Sequence, residues 1–260
     1  MKRIATILLL LVCAAAGAVR WLDVMYYTDL ATGFVTWGSY LWRYALAGGV
    51  LVLLWLAGWM IPKTSTALKG QSTAQGMLAL LCGVGFAALG GVYLAAFDEM
   101  GRFELALAVL YLVSGVWMLL LGRSRFTPEF EAPTGSALFG VAGTLALYLL
   151  TIKRFGLAPT GIARVNTTLE ALAALVALLF CTAQLKSAYI PGGKSARWIW
   201  LSGMAAFLFC TCLALPSAVW TWLQGQSALR GMVEGVCLAL VGLMGAVYAL
   251  TVSSEERSNV

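Results

Sequence analysis

Apolar residues run along this chain in blocks of about 20, and the charged residues collect between the blocks. A helix rising 1.5 Å per residue needs about 20 apolar residues to cross hydrocarbon roughly 30 Å thick. The blocks predict spans near 4–22, 38–61, 74–96, 103–121, 136–152, 168–185, 197–222 and 229–252. A transmembrane β-barrel would need strands of about 10 residues alternating apolar and polar positions. Leu51-Val52-Leu53-Leu54-Trp55-Leu56 and the run from Leu145 to Leu150 do not alternate in that way. Helices satisfy their own backbone polar groups where no water can. The expected fold class is therefore an all-α, polytopic transmembrane helical bundle of about eight helices. The gaps between blocks are too short for a separate soluble domain, which usually needs 50 residues or more, so 1–260 reads as a single integral membrane domain.

Composition agrees with that solvent. The chain is 61% apolar and 11% charged, against about 25% charged in soluble domains. The formal charge of +6 is scattered among short loops, which argues against a nucleic-acid partner and leaves the lipid bilayer as the expected one. With the N-terminus cytoplasmic, Lys2, Arg3, Lys63, Lys69, Arg123, Arg125, Lys186, Lys194, Arg197 and Arg257 fall inside. Arg20, Arg43, Arg102, Lys153, Arg154, Arg164 and Arg230 fall outside or at outer helix ends. The bias predicts both termini in the cytoplasm, with the stretch from Lys153-Arg154 to Arg164 running against it, and the cell membrane is the expected location. Trp21, Trp37, Trp59, Trp198, Trp220 and Trp222 stand near span ends, as interfacial belts require. The first span resembles a secretory signal in Lys2-Arg3, Ile4 to Val12 and Ala14-Ala15-Ala16. Its apolar run continues through Val19 to an interfacial Arg20-Trp21, so a retained anchor is the preferred reading.

The second, fourth, sixth and eighth spans each carry one charged residue near their start: Arg43, Glu104, Glu170 and Glu234, separated by 61, 66 and 64 residues. The sequences that follow are alike in Arg43-Tyr-Ala-Leu-Ala and Glu104-Leu-Ala-Leu-Ala, looser after Glu170 and hardly alike after Glu234. This is a weak repeat, consistent with four helical hairpins that place one ionisable group each near the same membrane face. Ionisable residues at membrane depth are costly and are functional candidates by default. Helix capping competes with that reading. Thr167-Thr-Leu-Glu170 matches a capping box, and Glu104 and Glu234 follow Gly101 and Gly231 by three residues, where a first-turn carboxylate suits the helix dipole. Arg43 opposes the dipole, so it either snorkels outward or pairs with one of the glutamates.

The loop between spans one and two, Asp23 to Phe34, is the most polar and aromatic stretch on the predicted outer face. Asp23, Tyr26, Tyr27, Asp29 and Thr32 are candidates for a binding surface, although Asp29 with Thr32 equally makes a turn or cap. Asp98-Glu99 reads as a solvated turn on the same face. The six cysteines all fall in predicted spans and read as packing residues. Histidine is absent, which excludes His-dependent dyads, His-ligated haem and the H-E-x-x-H metal site. Gly192-Gly193-Lys194-Ser195 lacks the first glycine of a phosphate loop, Ala188 standing there, and has no strand before it. Asn166-Thr-Thr168 matches a glycosylation pattern at the edge of a span, a frequent chance occurrence. Gly83, Ala87 and Gly90, with Gly140 and Gly143, are spacings expected of close helix packing. Pro216 is the one proline well inside a span and is expected to kink the seventh helix.

No catalytic, cofactor or metal set emerges. Three functions remain: a small-solute transporter or permease component, a non-catalytic scaffold or subunit of a membrane complex, and, last, an enzyme working with carboxylates alone. The first is preferred for its ionisable residues at matched depth and its repeat.

Overall fold

The computed structural model describes residues 2–29, 32–63, 68, 70–95, 101–128, 132–134, 136–156, 163–190 and 195–254. Asp98-Glu99 and Gly192 to Lys194 lie outside the described residues. Within them run eight long apolar helices: α1 (Lys2–Tyr26), α2 (Tyr40–Gly58), α3 (Thr73–Leu94), α4 (Arg102–Ser124), α5 (Ala137–Gly156), α6 (Val165–Tyr189), α7 (Ala196–Leu223) and α8 (Leu229–Ser254). Each is long and apolar enough to cross a bilayer, and the chain is a multi-pass integral membrane protein.

The helix ends move several expected boundaries. α1 continues through Tyr26, which places Asp23 in the helix and not in the loop that follows. α5 continues to Gly156, so Lys153 and Arg154 sit in its last turn. Cations there meet the negative end of the dipole, which is why the helix carries on past its apolar run. α6 begins at Val165, which rules out Thr167 as its N-cap: the Thr167 and Thr168 hydroxyls donate back to the Arg164 carbonyl.

α7 and α8 form the centre of the bundle. Two thirds of their most apolar stretch is buried by protein, against 28% for α1 and α2. α1 lies mainly along α7 and α8 and touches α2 little. α2 turns Val52, Leu53, Trp55 and Leu56 outward, as a lipid-facing helix does. Beside that of α7 with α8, α3 and α4 form another extensive pairing. Their seam is built on small residues: a Cβ placed on Gly115 would lie 2.8 Å from both the Ala87 nitrogen and the Gly83 carbonyl oxygen. Apolar lipid supplies no hydrophobic drive between helices, so such close backbone approach carries the association.

α7 is irregular in its middle. Phe207–Ala214 is π-helical, and an α-helical segment restarts at Leu215 with Pro216 in its first turn. Proline has no N–H for the carbonyl of Cys212, and its ring crowds that carbonyl. The turns before Pro216 are thus widened, a form that recurs at functional sites. The wide turn is supported from outside, since the Thr211 hydroxyl donates to the Ala239 carbonyl of α8 at 2.8 Å.

Replacing Gly115 by Ala should lower stability by about 1–3 kcal/mol, the usual result of overpacking. Gly91, whose added Cβ would meet nothing within 4 Å, is the control. Thermal melting in mild detergent should separate the two, with Gly91→Ala close to wild type.

Candidate functional site

The charged residues of the span ends converge on one face of the bundle, where α1, α3, α5 and α7 end and α2, α4, α6 and α8 begin. They form two clusters. The first centres on Asp23, 2% exposed. Arg43 from α2 grips its carboxylate through Nε at 2.8 and 3.0 Å and through a second, shorter contact. Arg20, one turn back on α1, donates to Oδ2 of the same carboxylate and also to the Asn166 side-chain oxygen on α6. Arg43 spends its remaining donors on the Ser39 and Trp37 carbonyls and lies 4.6 Å above the Trp42 ring.

This overturns both expectations for Arg43. It neither snorkels, being 4% exposed, nor bonds to a glutamate. Its cation is tolerated in the first turn of α2 because Asp23 arrives from the neighbouring helix. Asn166, the residue of the glycosylation pattern, is buried here as an acceptor for Arg20.

The second cluster centres on Glu234 of α8, 7% exposed. Arg154 of α5 donates to its Oε1 through two nitrogens, at 2.6 and 3.2 Å. The hydroxyls of Tyr93 (α3) and Tyr111 (α4) donate to its Oε2 at 3.1 and 3.2 Å. Lys153 donates to the Tyr93 hydroxyl at 2.9 Å, and Arg230 lies 5.7 Å from the centre of the Tyr93 ring. Arg154 further donates to the main-chain oxygen of Glu170 at 2.7 Å.

The glutamates are therefore not equivalent. Glu104 fits the dipole account, standing in the first turn of α4 after Gly101. Glu170 and Glu234 lie five residues after the first residues of α6 and α8, too deep to cap, and Glu234 is the hub of an ion-pair network. Glu170 is half-buried and stands between the clusters, within electrostatic reach of Arg154, Glu234 and Arg20.

Beside Glu234 opens a cavity of about 350 Å³ lined by Lys153, Arg154, Glu170 and Glu234 together with Ala214, Ala218, Thr221, Ser227 and Leu238. That is the lower end of the size range of small-molecule sites, about 300–1,000 Å³. Its apolar wall is partly the end of the π-helical segment of α7. A tight gap of about 20 Å³ lies at the first cluster, room for roughly one water.

The loop between α1 and α2 holds the remaining candidates. Thr28 and Val35 face each other in a β-bridge, the Thr32 hydroxyl bonds to Asp29, and Gly33 turns the chain at φ 72°. Tyr26 is exposed, and Tyr27 packs 5.2 Å from Trp37. Asp23 alone of this group joins the buried charges. Reading the sequence missed Arg20, Asn166, Lys153, Arg154, Tyr93 and Tyr111. A signal was present for some of them: two basic residues abutting a span without loop residues, and tyrosines inside spans whose hydroxyls need a partner. Among the described residues, no three His, Cys, Asp or Glu side chains gather to hold a metal ion.

Removing one partner of a buried ion pair typically costs about 3–5 kcal/mol. Asp23→Asn, which leaves two arginines facing a neutral amide, and Glu234→Gln should each cause a loss of that order. Glu104→Gln should stay within about 0.5 kcal/mol of wild type, as surface changes do. Melting of the three variants in one detergent checks the ranking. Compared with protein-family models, curated proteins and solved structures, the chain matches none.

Proposed function

We propose that this protein is a small-solute transporter or permease component whose solute site is the cavity beside Glu234. The observation that carries this reading is a ligand-sized cavity that lies among spanning helices, is walled by apolar side chains and presents four ionisable groups at one face. Ionisable residues at membrane depth typically face the bundle interior and mark solute and ion pathways. The π-helical segment supplies a second support. Ala214 ends it and lines the cavity, so a regularising turn in α7 would change the cavity's shape directly.

A subunit role is favoured by one different observation: the long outward apolar face of α2 and its sparse packing on the bundle. A second membrane protein could cover that face as well as lipid does.

Thr221→Trp places a bulky ring in the cavity mouth. A polar solute that raises the melting temperature of the wild type, and fails to raise that of Thr221→Trp, is the expected outcome. Uptake of that solute into vesicles carrying the protein should be lost in the same variant. If amino acids, sugars, organic acids and monovalent cations all leave melting unchanged while a stoichiometric membrane protein co-purifies, the subunit role replaces the transporter.

A further inference from the structure

Hydrogen-bond accounting within the cavity separates its four charges into two kinds. Glu234 accepts two donors on each carboxylate oxygen, Arg154 on Oε1 and the two tyrosines on Oε2. A carboxylate offers about four such acceptor positions, so Glu234 has none left. Arg154 gives three of its five donors to Glu234 and to the Glu170 carbonyl, and its charge is met by that of Glu234. This pair neutralises itself and holds α3, α4, α5 and α8 together.

The other two charges are only partly engaged. Lys153 has three N–H donors and gives one to a neutral acceptor, the Tyr93 hydroxyl. It lies above the Tyr93 ring, 5.2 Å from its centre, and forms no ion pair within 4 Å with a described carboxylate. Glu170 offers its main-chain oxygen to Arg154, but no described donor reaches its carboxylate. Arg154 and Arg20 act on it only through the field. Both residues line the same cavity, and so does Ser227, whose hydroxyl is shielded from solvent without a partner. A half-buried cation and a half-buried anion, each short of direct partners, leave a specific electrostatic demand on whatever fills the space. A simple anion would answer Lys153 and repel Glu170; a simple cation would do the reverse.

We infer that the cavity binds a small zwitterion, its ammonium on the Glu170 carboxylate and its anionic group on the Lys153 ammonium, with a short apolar body against Ala218 and Leu238. The inference rests on the reading of the cavity as a solute site. A free amino acid and an ethanolamine phospholipid headgroup both present this pair of charges, so both sources enter the test.

The test is ligand-dependent melting of the purified, delipidated protein. The probes are alanine, γ-aminobutyrate and glycerophosphoethanolamine as zwitterions, propionate and propylamine as singly charged analogues, and mixed micelles containing phosphatidylethanolamine. At least one zwitterion should raise the melting temperature, and neither singly charged analogue should match it. Glu170→Gln and Lys153→Met should each weaken that binding roughly tenfold or more, the loss expected from one charge-assisted hydrogen bond. Glu170→Asp, which keeps the charge, should retain most of it and controls for misfolding. Propionate or propylamine binding as tightly as every zwitterion, or zwitterion binding untouched by Glu170→Gln, overturns the zwitterion while leaving the solute cavity intact. Binding by phosphatidylethanolamine alone upholds the zwitterion and removes the soluble-solute transporter. If none of the probes shifts melting, both fall.

Discussion

An ionised side chain inside a helical bundle has only the protein to answer it, because hydrocarbon offers neither water nor counter-ions. Even insertion-based scales put an arginine or aspartate at the centre of a spanning helix at about 2.5–3.5 kcal/mol. In this chain the constraint is met by collecting charges from different helices at one face and pairing them there. Asp23 takes two arginines, and Glu234 takes one arginine and two phenolic hydroxyls. These contacts join helices that are far apart in sequence. Asp23 joins α1, α2 and, through Arg20 and Asn166, α6. Glu234 joins α8 to α3, α4 and α5. Glu170 stands where the two sets meet.

The apolar part of the bundle does complementary work. Along the α3–α4 seam the backbones of Gly83 and Gly115 approach too closely for any Cβ between them, giving a close-fitting pair that can hold Tyr93 and Tyr111 in register toward Glu234. α7 differs. Its middle turn is wide, and its regular hydrogen bonding is interrupted before Pro216. The cavity draws its lining from α5, α6, the irregular α7 and α8, and Glu234 ties it to the α3–α4 pair through Tyr93 and Tyr111.

Much of this architecture could be read from residue order alone, because the length of an apolar block directly reports a bilayer crossing. The four charges at the starts of even-numbered helices were legible for the same reason, and all four do lie at one face. Their partners were not. Arg154 follows Ile152 and Lys153 at the end of an apolar run, and hydropathy treats such residues as loop. Only the continued helix turns the Arg154 side chain toward α8. Asp23 likewise follows the apolar run of α1, and only the continuation of that helix to Tyr26 reveals it as the acceptor that explains Arg43. Tyr93 and Tyr111 are contiguous with apolar neighbours and carry no periodic signature that distinguishes a hydroxyl aimed at a carboxylate from one packed in the core. Pairings between distant helices are tertiary facts, and no local pattern encodes them.

The position of Glu234 in the chain also bears on how the bundle is assembled. Tyr93, Tyr111 and Arg154 belong to helices synthesised before α8, so their shared acceptor reaches the membrane after they do. Until α8 enters, Arg154 stands without the Glu234 carboxylate, and the Glu170 carbonyl of α6 is its other acceptor. Insertion of the eighth helix therefore completes an unfinished charge pair as well as adding an apolar span.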